Sequence, residues 1–219
     1  MRWIDKLERR YGRYGIPNLM NIILIGQAIA WVLIQFTTPQ FGYTLYSLLT
    51  LNRSGLMHGQ IWRLITFLFV PSLTSSPFYL LIELYFYWWI GNSLERAWGD
   101  FRFTAYVLVG MVGAVLSCLL TGSASATGIL TSMFLAYAWM WPNQQVLLFF
   151  ILPIKVKWIG WVSAASIALQ LLFGSVATKF SLLFGLAGFL VFFGPELVAW
   201  VRDAVYNYKR RKEWENRFK

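Results

Sequence analysis

The sequence predicts an all-α membrane protein, a six-span helical bundle with a partly embedded first outer loop, and three observations carry that prediction. Hydrophobic residues make up 58% of the chain and charged residues only 13%, too little charge to solvate a soluble domain. The apolar stretches recur at lengths near the roughly 20 residues that a helix needs to cross a bilayer. The basic residues gather at the two ends and in alternate loops, so the net charge of +10 points to retention on the cytoplasmic side and attraction to anionic lipid rather than to nucleic acid. The resulting division is an interfacial helix over residues 1–16, a membrane bundle over 17–201 and a basic tail over 202–219.

Residues 2–15 set Trp3, Leu7 and Tyr11 at four-residue spacing, with Ile4 nearby, against a charged face. That pattern suits a helix lying in the membrane surface. No uninterrupted apolar core precedes the first long apolar run, so a cleavable signal peptide is not expected. Pro17 is placed to start a first span over residues 18–36. Residues 37–75 hold Arg53, His58 and Arg63 among short apolar pieces and read as an embedded, non-spanning loop with one or two short helices. Irregular backbone at that depth needs shelter from the bundle. Further spans are expected over residues 77–97, 103–120, 127–141, 158–173 and 180–201, with the fourth too short for an ordinary hydrocarbon core and therefore central. A small-residue turn, Gly122 to Ala126, precedes that fourth span, and residues 142–157 form a cytoplasmic connection. This count places Arg96, Arg102, Lys155 and Lys157 inside with both termini and leaves Arg53, Arg63 and Lys179 outside. The expected location is a bacterial-type plasma membrane. A single cysteine, Cys118, excludes an intrachain disulfide and a cysteine metal site, and neither metal nor cofactor is expected.

Gly91, Glu95 and Gly99 recur at i, i+4 and i+8 and share one helical face at the end of the second span. Glycines there let a neighbouring backbone come close, where Glu95 can hydrogen-bond it, or the segment is a solvated helix end. Trp62 and Arg63 suit interfacial anchoring and a cation that must find acceptors. Gly110 with Gly113, and Gly185 with Gly188, read as close-packing pairs. Glu83 is the most unusual polar residue within a span, and an intramembrane carboxylate is costly enough to need either a structural bond or a function.

Together the Trp62-Arg63 pair, the Gly91-Glu95-Gly99 motif and the Trp141-Pro142-Asn143 exit from the fourth span resemble the rhomboid superfamily, the intramembrane serine proteases and their inactive relatives. The apolar run ending in Pro153-Ile154-Lys155 and the six-span layout add to the resemblance, which covers residues 17–200. Active rhomboids imply a serine opening span four in Gly-x-Ser-Gly and a span-six histidine in His-x-x-Gly-x-x-x-Gly, nucleophile and base. Counting from Pro142 puts Thr127-Gly128 on the Ser-Gly and Ser125 on the first glycine; in span six Ser181 falls on the histidine and Phe184 on a glycine. The family's oxyanion positions in span two fall on Tyr79 and Glu83, and a carboxylate there would repel a developing oxyanion. Another register puts Ser123 on the nucleophile without supplying an imidazole.

The lone histidine, His58, falls on the outer loop, where a surface role competes with that of a base, and Lys179 could activate a hydroxyl only if desolvated. The expectation is a catalytically inactive rhomboid-like protein that binds transmembrane segments of client proteins, with Tyr79, Glu83, Thr127 and Ser181 as groove candidates. Inactive rhomboids and the more distant derlins imply such binding. An atypical rhomboid-type serine/threonine protease is the alternative, and an ion-coupled carrier using Glu83 a third reading. Expected partners are membrane lipids and client segments, with lipid or a cytoplasmic protein on the basic tail.

Overall fold

A computed structural model of the chain describes residues 2–71, 76–148 and 152–217, and side chains over 7–71, 76–146 and 153–203 with 206, 207 and 210. In chain order the elements are α1 (Arg2–Tyr11), a 3-10 turn (Gly12–Tyr14), α2 (Leu19–Gln35), α3 (Pro39–Leu49), β1 (Leu51–Asn52), α4 (Arg53–Met57) and α5 (Arg63–Thr66). A second 3-10 turn (Phe67–Phe69), α6 (Pro77–Trp98), α7 (Asp100–Thr121), β2 (Ser123–Ala124) and α8 (Thr127–Met140) follow. The chain closes with β3 (Gln145–Leu148), β4 (Leu152–Lys155), α9 (Val156–Phe173), α10 (Val176–Gly185) and α11 (Ala187–Arg217).

The bundle is arranged around α8. That helix is apolar on every side, so it has no face to give to water, and it packs against α6, α7, α9, α10 and α11. Ile129, Met133, Ala136 and Tyr137 of α8 are buried to within 2% or less of full exclusion. With 14 residues, it is only about 21 Å long at 1.5 Å per residue, well short of a hydrocarbon core of about 30 Å. Its neighbours make up the height. α7 and α9 are each long and apolar enough to cross alone, and α10 with the first part of α11 is so only when the bent pair is taken together. On the outside of α6 lies α2, whose N-terminal approach from α1 forms a second bent pair.

The six expected spans thus correspond to α2, α6, α7, α8, α9 and the α10–α11 pair. Four features differ from expectation. The outer loop is more helical than one or two short helices, because Pro39 starts α3 and the Asn52 side chain caps α4 by accepting from Gly55 N at 2.7 Å. The sixth span begins earlier, at Val176, and bends by 75° at Leu186, where tight glycine contacts on either side pull α10 onto α7 and α8. In the connection after α8, β3 and β4 pair antiparallel, with Gln145 opposite Lys155 and Val146 opposite Ile154. α11 continues through the expected tail boundary to Arg217. The Trp3 and Ile4 stripe, the 72–75 cluster and the tail cations other than Arg202 and Arg210 lie outside the described side chains.

Candidate functional site

The face opposite the chain termini carries the loop between α2 and α6, and Arg63 holds that loop in shape. Its guanidinium is buried while the adjacent Trp62 stays half exposed. Nε donates to Gln60 Oε1 at 2.6 Å, and Nη1 donates to the carbonyls of Thr50, at 2.6 Å, and Ser47. Thr66 adds a bond to the Leu49 carbonyl at 3.2 Å. The last carbonyls of a helix have no intrahelical donor, and a cation there also meets the negative end of the helix dipole. Arg63 and Thr66 therefore terminate α3.

The same loop is tied across the bundle. β1 pairs antiparallel with β2, Leu51 opposite Ala124 and Asn52 opposite Ser123, and Arg53 N donates to Gly122 O at 2.8 Å. The bridge seats the loop against the segment that leads into α8. Between them and α10 lies a cavity of ≈ 380 Å³ whose wall includes Tyr46, Thr50, Asn52, Ser123, Ser125 and Ser181. Beneath it, α8 and α10 come into backbone contact: a Cβ at Gly128 would lie 2.7 Å from Gly185 Cα. Gly185 is therefore the glycine of α10 that this close approach requires.

Of the residues expected at the groove, Ser181 lies on the cavity wall beside Ser123 and Ser125. Thr127 is the exposed first residue of α8, Tyr79 is exposed near the start of α6, and Glu83 is half-buried one turn further along; none of the three is on that wall. Lys179 is half-buried on α10, and His58 is exposed at the end of α4 with Nδ1 2.7 Å from Ser54 O. No hydrogen bond joins Thr127, Ser123 or Ser181 to Lys179 or His58 among the described residues, and no metal-holding cluster occurs among them.

At the opposite end of the bundle the motif closing α6 resolves into three tasks. Gly91 lies against the Met20 side chain, 3.0 Å from its Cβ to a Cβ added at Gly91. Glu95, buried, accepts from Leu19 N at 2.8 Å and so caps the start of α2. Gly99 takes φ 81°, the left-handed side where only glycine sits without strain, and turns α6 directly into α7. Gly113 meets the Phe184 carbonyl and Gly188 the Tyr106 ring, so these pairs are also sites of close approach.

Three polar residues with structural work escaped the sequence reading. Gln27 is buried in the middle of α2 and donates to Leu68 O at 2.9 Å, tying the first span to the outer loop. Its place inside an otherwise apolar run was the available signal. Tyr106 donates to Ser132 Oγ at 3.0 Å, and Ser132 donates to Ile129 O at 2.7 Å, joining α7 to α8 through two fully buried hydroxyls. A family model described as Rhomboid domain matches residues 58–202, well over half of the chain. No curated protein matches.

Proposed function

The chain belongs to the rhomboid family, and from that premise we propose that it is a member without protease chemistry that holds transmembrane segments of other proteins. The observation that carries this reading is the environment of its hydroxyls. A serine or threonine becomes a nucleophile only beside a base within hydrogen-bond reach. Here the lone imidazole is turned onto its own helix end at Ser54 O, and among the described residues no hydrogen bond joins Thr127, Ser123 or Ser181 to it or to Lys179. The cavity beside these hydroxyls supports a binding role on the same scaffold.

Client segments would enter between α6 and α9. α6 packs on α2, α7 and α8, whereas α9 packs on α8 and α10 and buries only Val156, Gly160 and Ile167. Such a lipid-facing helix beside the short α8 leaves a flank where another helix can lie. The protein would sit in a bacterial-type plasma membrane with both termini in the cytoplasm, in keeping with its charge distribution.

In-cell photo-crosslinking from Tyr79, Glu83 and Ser181 tests the binding reading: each should capture single-span membrane proteins. Capture of lipid alone from all three positions would end it. The atypical protease remains the second reading because Ser123, Ser125 and Ser181 surround one cavity. Purified protein in bilayers that cleaves a transmembrane substrate, and stops doing so on Ser123→Ala or Thr127→Ala, would establish the protease and overturn the inactive assignment.

A further inference from the structure

At the end of the bundle nearer the chain termini, a second cleft of ≈ 300 Å³ opens between the start of α2 and the end of α6. We propose that this cleft binds the zwitterionic head group of a glycerophospholipid, a phosphate ester carrying a primary ammonium.

The lining sets out both halves of such a group. Arg96 and Asp100 are exposed on the cleft wall, and neither has an ion-pair or side-chain hydrogen-bond partner among the described residues. The second carboxylate in the cleft, Glu95, is committed to Leu19 N. Asn92 Nδ2 donates to Asn21 Oδ1 at 3.2 Å, which leaves the Asn21 amide nitrogen as a donor and the Asn92 amide oxygen as an acceptor. A phosphate finds Arg96 and the Asn21 amide; an ammonium finds Asp100 and the Asn92 oxygen. A head group of one sign only would satisfy one charge and face the other unpaired. A zwitterion answers both.

The surroundings argue for a lipid as the source of that head group. Trp88, 42% exposed, lies on the cleft wall as interfacial tryptophans do at head-group level. From there, exposed Ile22, Ile25 and Ile29 on α2, and Leu81 and Tyr85 on α6, lead along the two helices toward the middle of the bundle. These apolar surfaces provide a path for acyl chains whose head group is held in the cleft.

The test is native mass spectrometry of the full chain released from nanodiscs containing equal phosphatidylethanolamine and phosphatidylglycerol. The expected result is retention of phosphatidylethanolamine about tenfold or more over phosphatidylglycerol, which corresponds to about 1.4 kcal/mol. Asp100→Asn should erase that preference, and Arg96→Gln should reduce retention of both lipids. Equal retention by the parent protein, or a preference that survives Asp100→Asn, overturns the proposal. Soluble O-phosphoethanolamine at the same concentration should not displace the lipid; complete displacement would assign the cleft to a free zwitterion and overturn the lipid assignment. Should a variant fail to fold, a photoreactive phosphatidylethanolamine on the parent protein decides: labelling of peptides containing Trp88 or Ile22 supports the site, and labelling confined to other peptides refutes it.

Discussion

Replacing Arg63 by methionine should release the outer loop while leaving the bundle intact. Methionine keeps the apolar stem and removes the donors to the Ser47, Thr50 and Gln60 oxygens. Each buried acceptor left without a partner costs about 1–3 kcal/mol, and water reaching one of the α3 carbonyls would recover part of that. A net local penalty of roughly 2–4 kcal/mol corresponds to about thirty- to several-hundred-fold faster opening, at about 1.4 kcal/mol per factor of ten. Amide hydrogen exchange reads this directly. Peptides spanning residues 39–52 should exchange faster by that factor, while those of α7 and α8 stay protected. Because Tyr46, Thr50 and Asn52 wall the cavity, photo-crosslinking from Ser181 should weaken in the same variant. Unchanged exchange over 39–52, or an equal rise across α7 and α8, would refute the assignment of Arg63 to the end of α3.

At the other end, Glu95→Ala should lower bundle stability by about 2–3 kcal/mol, since it removes a charged acceptor from a helix N-terminus. Glu95→Gln, which keeps an acceptor oxygen, should cost about half as much, and thermal unfolding in detergent distinguishes them. Gly128→Val should lower the unfolding midpoint more than Gly110→Ala does. The valine must push aside the backbone at Gly185, whereas the alanine Cβ meets only the Ile129 side chain at 3.0 Å; overpacking of this kind costs about 1–3 kcal/mol. Ser132→Ala should destabilise by about 1–3 kcal/mol by stranding the Tyr106 hydroxyl, as measured by the same unfolding assay.

The spans were legible because apolar length is a local property, and α2, α7, α8 and α9 begin and end within a few residues of where sequence patterning places them. The spacing of Gly91, Glu95 and Gly99 was legible for the same reason, although nothing local says that Glu95 meets Leu19 across 76 residues of chain. Long-range pairings were not readable. Asn52 opposite Ser123, Gln27 on Leu68 O and the bend at Leu186 all follow from which helices become neighbours. The close approach of α10 to α8 illustrates the limit. Motif counting compares residue types, whereas the backbone contact with Gly128 selects the position that lacks a Cβ.

The bridge between β1 and β2 also dictates an order of assembly. Residues 51 and 124 face each other with all of α6 and α7 between them in the chain. Arg63 can close onto α3 soon after both are synthesised, because their separation is short. The Leu51–Ala124 pair cannot form until α6 and α7 have been threaded through the bilayer as a hairpin and Gly122 has arrived on the far side. A nascent chain halted before that point carries the first loop without its mooring. The cavity is therefore among the late parts of the molecule to come into being, although half of its wall belongs to one of the earliest segments to emerge.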